Sequence, residues 1–158
     1  AIGGLAVGEP RAEMLATIEE TVPELPALKP RYLMGVGLPQ DLVDGVERGI
    51  DMFDCVIPSR NARNSTLFTS TGRVRMKNAA HADDNAPLDA NCNCQTCTQY
   101  HRGYLRHLFQ TNEILGLHLA TYHNIHFFLS LMRDMRTAII DGRFTQWRQT
   151  FFATYQDR

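Results

Sequence analysis

Three short apolar runs, each closed by glycine or proline, alternate with amphipathic stretches through residues 1–58. The runs are "AIGGLAV", ended by Gly8, Glu9 and Pro10; "RYLMGVG", ended by its own glycines; and "DMFDCVIP", stopped by Pro58. Between the first two, "PRAEMLATIEETV" spaces Met14, Leu15, Ile18 and Val22 for one face of a helix, with Pro10 near its start and the proline-rich "PELPALKP" after it. Between the last two, "LPQDLVDGVERGI" does the same with Leu42, Val46 and Ile50. Strand, helix, strand, helix, strand predicts parallel βα units. Parallel sheets bury both faces, and three such strands leave edges unpaired, so more strands are expected from elsewhere. The pattern therefore predicts an α/β fold, the last three βα units of a (β/α)8 TIM barrel. Barrels place functional residues at the carboxyl ends of strands, here Gly3 to Gly8, Gly35 to Gly37 and Asp54 to Pro58. A start inside an apolar run, without Met, fits a chain cut from a longer one.

After residue 65 the pattern changes. "LFTSTGRVRMKN" reads as a hairpin turning at Thr71-Gly72, and "AAHADDNAPLDAN" as polar loop. Helical segments follow: "TQYHRGYLRHLFQ", a long stretch from Thr111 to Gly142, and "RFTQWRQTFFATY". The expected domains are thus 1–65, barrel, and 66–158, a hairpin with a mainly helical subdomain.

The cluster "CNCQTC" places Cys92, Cys94 and Cys97 within six residues. Such neighbours rarely reach disulfide geometry, so a reducing compartment, the cytoplasm, is expected. Three thiolates on one loop want a fourth, distant ligand, and zinc takes that ligand from imidazole. Spacing alone leaves His101, His107, His118, His123 and His126 open. With four protein ligands the zinc would be closed and structural. The chemistry is then sought at Asp54, a carboxylate near the end of an apolar strand, which is costly unless paired, solvated or used. The alternative is a turn-capping aspartate. "SRNARN" beyond it offers Arg60 and Arg63 among amides, suited to phosphate and base edges or simply to a solvated loop. Composition is ordinary: 44% hydrophobic, 21% charged, net charge −1, with no apolar run of membrane-spanning length and no secretory signal. That balance argues against broad nonspecific nucleic-acid binding but allows a local basic patch.

"GGLAVGE", "YLMGVG", "GIDMFDCVIPSRNARN" and "CNCQTC" followed by "YHNIHF" together resemble the bacterial tRNA-guanine transglycosylases, across essentially the whole chain and in the family's order. The resemblance is to the carboxyl-terminal part of that enzyme. It implies that Asp54 is the nucleophile that attacks the ribose anomeric carbon at the wobble guanosine of tRNA. Guanine leaves, a covalent RNA–enzyme intermediate forms, and the 7-deazaguanine preQ1 replaces the base, in queuosine biosynthesis. It implies base contacts from Gly4, Leu5 and Ala6, with Val7 as in preQ1-using members. It implies RNA contacts from Gly35, Val36, Gly37, Leu38, Pro39, Gln40 and Asp41, and from Ser59, Arg60, Asn61, Ala62 and Arg63. His123, in its "HN" setting, becomes the fourth zinc ligand beside Cys92, Cys94 and Cys97, leaving His107, His118 and His126 to packing or surface. A homodimer is implied as well. The family's general-base aspartate and most of its base-reading pocket belong to an amino-terminal half that no segment here matches, so the chain alone is expected to be inactive. The competing function is a non-catalytic zinc module for tRNA binding or dimerisation.

Overall fold

The computed structural model describes residues 1–156; the last two residues of the second expected domain lie outside them. The chain divides into two compact units, Ala1–Ile57 and Pro58–Arg158.

In the first unit, β1 (Tyr32–Leu33) and β2 (Met52–Phe53) pair in parallel, Tyr32 opposite Met52 and Leu33 opposite Phe53. Ile2 adds a single parallel bridge to Leu33. Its N–H donates to the Tyr32 carbonyl at 2.7 Å and its carbonyl accepts from Met34 N–H at 2.9 Å. The strand expected over residues 1–7 is thus reduced to one residue, because the backbone turns away at once, with Gly4, Ala6 and Gly8 all at positive φ. The two helices fall where periodicity predicts: α1 (Arg11–Thr21), continued by a 3₁₀ turn at Val22–Glu24, and α2 (Pro39–Glu47). Pro39 suits the first turn of α2 because a helix leaves that N–H unpaired anyway.

Side chains alternate across these strands. Ile2 and Leu33 turn inward onto Met14, Ile18, Val22, Val36 and Ile50, with Phe53 packed against them. Met34, Met52 and Asp54 are exposed on the opposite face. That face differs from the doubly buried one expected of parallel strands. Apolar burial of about 25 cal/mol per Å² holds the helices to the inner face only. Arg11 adds a fixed link between the helices, pairing with Asp41 at 2.6 Å and with Asp44.

In the second unit, α3 (Ile57–Arg63, its first residue in unit one) leads into the hairpin β3 (Thr66–Thr69) and β4 (Gly72–Arg75), antiparallel with Thr69 opposite Gly72. The turn lies where predicted. Then come a 3₁₀ turn at Ala79–His81 and helices α4 (Gln95–Gln99), α5 (Arg102–Gln110), α6 (Ile114–Ile140) and α7 (Phe144–Thr154). The single helix expected over "TQYHRGYLRHLFQ" is broken. Tyr100 and His101 are extended, and the His101 ring caps α5 by accepting from Tyr104 N–H at 3.1 Å. Gly142 ends α6 as predicted, at φ 67, while Gly142 N–H reaches Ile139 and Arg143 N–H reaches Ala138, a Schellman closure. Leu67, Met76, Leu88, Leu105, Leu108 and Leu119 form the core around Cys94 and Cys97.

Candidate catalytic carboxylate and metal centre

In the first unit the parallel register brings Tyr32 and Asp54 to one face. Asp54 Oδ1 accepts from Tyr32 Oη at 2.6 Å and from Gly35 N–H at 3.0 Å. Gly35 holds φ 73, a left-handed backbone that glycine adopts without strain. Among the described residues, no hydrogen bond engages Asp54 Oδ2. The carboxylate is exposed, one oxygen pinned and the other open. The Tyr32 hydrogen bond, then that from Gly35, lowers its pKa below the usual value, and the same contact raises Tyr32. It does not cap a turn. Tyr32 was not singled out from sequence, since only strand register reveals that it meets Asp54.

Gly4 and Ala6 are exposed and Leu5 half-buried in the bend after Ile2. Glu9 folds that bend, its carboxylate accepting from Ala6 N–H and, at 3.0 Å, from Val7 N–H. This second residue unassigned from sequence holds the loop's peptide groups. In the stretch from Gly35 to Asp41 only Gly35 is exposed. Val36, Gly37 and Pro39 are buried, Leu38 and Gln40 half-buried, and Asp41 is engaged by Arg11. A Cβ on Gly37 would sit 1.9 Å from Cys55 Sγ, so the chain there must be glycine. On α3, Arg60 and Arg63 point outward, Ser59 and Asn61 are half-buried, and Ala62 is fully buried in the second unit's core.

In the second unit the cysteine loop is held from both ends. Asp89 accepts from Ser70 N–H at 2.6 Å, Ser70 Oγ at 2.9 Å and Asn91 N–H at 3.0 Å, joining the hairpin turn to the approach to Cys92. Thr96 Oγ1 donates to the Leu119 carbonyl at 2.9 Å, joining α4 to α6. Cys92, Cys94, Cys97 and His123 then converge, their ligand atoms all within 4.8 Å of one another. His123 Nδ1 lies 3.8, 3.4 and 3.4 Å from the three sulfurs. A tetrahedral metal at ordinary Zn–S and Zn–N bond lengths requires S···N edges of about 3.6 Å, so the cage has the size of an ion's first shell. The other ring nitrogen, Nε2, donates to the Phe68 carbonyl at 2.6 Å, which orients the ring and leaves Nδ1 facing the three sulfurs.

A hydrogen bond from Cys97 draws the Cys94 thiol down to about 3, and the same contact pushes Cys97 up. Burial opposes charge on His123, yet hydrogen bonds with Cys92, Cys94 and the Phe68 carbonyl raise it to about 9. His107 and His118 are exposed. His126 is not a member of the cluster, but its Nδ1 lies 3.7 Å from Cys92 Sγ. Asn124, next to His123, is fully buried. Its Oδ1 accepts from Phe68 N–H at 3.0 Å, and its Nδ2 donates to Pro58 at 2.9 Å and Thr66 at 3.1 Å.

Among the described residues no helix is long and apolar enough to cross a membrane. The family described as queuine tRNA-ribosyltransferase matches residues 1–157. A queuine tRNA-ribosyltransferase of Herminiimonas arsenicoxydans is 57% identical over 97% of this chain and 41% of its own length. That of Idiomarina loihiensis is 56% identical over 96% of this chain and 41% of its own. That of Francisella tularensis subsp. tularensis is 52% identical over 99% of this chain and 42% of its own. The chain thus spans about two fifths of the length of these relatives. On the strength of these matches, carried by the same segments that shape the carboxylate and the metal cage, the chain belongs to the queuine tRNA-ribosyltransferase family.

Proposed function

We propose that this chain is the nucleophile-bearing part of a tRNA-guanine transglycosylase that exchanges the wobble guanine of tRNA for preQ1. The observation that carries the reading is Asp54: an exposed, ionised carboxylate with Oδ1 fixed by Tyr32 and Gly35 and Oδ2 unengaged. Such a group suits a double displacement at a sugar carbon. Oδ2 attacks C1′ of the wobble ribose, and the C1′–N9 bond breaks with its electron pair leaving on guanine. Guanine takes up a proton from the acid–base group that the rest of the barrel would supply; the base nitrogen of preQ1 then attacks C1′ and returns a proton to that group as the aspartyl ester bond breaks and the carboxylate is restored. The target base must leave its stack to be exchanged. Tyr32 and the Gly35 N–H position the nucleophile, and Gly4, Leu5 and Ala6 lie along the incoming base.

The exposed strand face bearing Met34, Met52 and Asp54 is read as the inner wall of a (β/α)8 barrel, of which Ile2, β1 and β2 mark the last three strands. The rest of the barrel supplies the general base and most of the base pocket, so the chain alone is inactive. RNA contacts are assigned to Gly35–Asp41 and Ser59–Arg63. Arg60 and Arg63 contribute side chains, Gly35 its backbone, and the buried members shape the surface from beneath. The metal is zinc, held by Cys92, Cys94, Cys97 and His123, and it is structural: four protein ligands leave it no open position, and it takes no part in the exchange. The working protein is a cytoplasmic homodimer. In the full-length protein, Asp54→Asn should abolish the denaturation-resistant adduct with tRNA seen on a gel. An adduct that persists removes Asp54 from the reaction.

A further inference from the structure

From Cys55 to Ala82 the chain holds five Lys or Arg residues and no Asp or Glu, although the whole sequence carries 16 cations and 17 anions. Two of the five, Arg60 and Arg63, belong to the RNA contacts proposed above. The other three, Arg73, Arg75 and Lys77, alternate along and beyond β4. Val74 and Met76 between them turn into the core, and all three cations are exposed on the outer side. A strand rises about 3.3 Å per residue, so Arg73 and Arg75 stand about 6.6 Å apart, comparable with successive phosphates of an extended RNA strand, and Lys77 follows in the turn that Asn78 N–H closes onto the Arg75 carbonyl at 3.1 Å. The hairpin also brings this row to α3: Thr66 pairs with Arg75, and Met76 N–H donates to the Ser65 carbonyl at 2.8 Å, two residues beyond Arg63. Among the described residues no ion pair engages Arg60, Arg63, Arg75 or Lys77.

We propose that the outer face of β4, with the turn that follows it, is a phosphate track on which Arg73, Arg75 and Lys77 carry the backbone of the tRNA. The proposal rests on the reading of the substrate as tRNA. It assigns these three side chains to register and affinity and gives them no part in reading bases. Cations on a hairpin also keep its edge from pairing with other chains. The test separates the two roles.

Binding of a labelled anticodon stem-loop RNA to the chain is measured by fluorescence anisotropy across a series of KCl concentrations. Each lost phosphate contact removes about 0.7 to 0.9 from the slope of log K against log salt. The combined substitution Arg73→Gln, Arg75→Gln, Lys77→Gln should therefore flatten the slope by about two to three, with the circular dichroism spectrum unchanged. Arg73→Lys with Arg75→Lys, which keeps the charge, should retain the slope. An unchanged slope in the Gln variant, or unaltered chain that binds without salt dependence, overturns the track. A Gln variant that aggregates while its soluble fraction keeps the original slope also overturns it, in favour of the edge-guarding role. Asp54→Asn should leave the slope untouched, so failure of the nucleophile assignment and failure of the track are read separately.

Discussion

Asn124→Ala is the sharpest perturbation available to the second unit. The amide makes three hydrogen bonds to backbone of α3 and β3 from a fully buried position. Each is worth about 1 kcal/mol net, and the Phe68 N–H left buried and unpaired adds about 1–3 kcal/mol more. The expected loss is about 4–6 kcal/mol, a large share of the 5–15 kcal/mol typical of a domain. In urea unfolding of the metal-loaded chain, followed by circular dichroism, a denaturant dependence of about 1–3 kcal/mol per molar lowers the midpoint by more than about 1 M. Asn124→Asp sharpens the test. One oxygen still accepts from Phe68 N–H, but the other faces the carbonyls of Pro58 and Thr66, where only a protonated carboxyl can donate. Its folded pKa must rise above the unfolded value, so its stability is fullest at low pH and falls as pH climbs through the raised pKa. The variant should therefore be weaker at pH 8 than at pH 5. A loss below about 1 kcal/mol for Asn124→Ala, or no pH dependence for Asn124→Asp, would refute the reasoning.

Cys94→Ser should release a stoichiometric metal and loosen the second unit, as read by metal analysis and by proteolysis. A variant that stays loaded and equally resistant would discard the cage. The Tyr32–Asp54 pair predicts a pH window. Asp54 is depressed, so its contribution is present above the unfolded carboxylate pKa and is lost as pH falls through the lowered one. Tyr32 is raised, so its contribution is present below the ordinary phenol pKa and is lost as pH rises through the higher one. Spectrophotometric titration should show one tyrosine ionising late, returned towards its ordinary value by Asp54→Asn; no change on substitution would argue against the contact.

The elements legible in sequence were those written in local spacing. Periodicity found α1 and α2, the glycine signal found the end of α6, and three cysteines in six residues found most of the metal cage. Spacing left five histidines open, because which one faces the loop depends on how α6 lies over the hairpin; only the family resemblance singled out His123. The first strand failed because Gly3 and Gly4 invite extended and bent backbone alike, and only the pairing partner decides. The break at Tyr100 was invisible because histidine is an uncommon helix cap. Tyr32, Glu9 and Asn124 were missed for a shared reason. A polar side chain reads as surface until the fold shows which carboxylate or peptide group it meets.

His123 and Asn124 seize the two backbone groups of one hairpin residue, the carbonyl and the amide of Phe68, while the same imidazole closes the cage. An ion bound in the cage would therefore set β3 as well, and β4, which hangs on β3, would share in it. On the proposed reading, chelation should weaken RNA binding while leaving Tyr32 and Asp54 paired, a division of labour in which metal supply would govern docking and spare the proposed nucleophile.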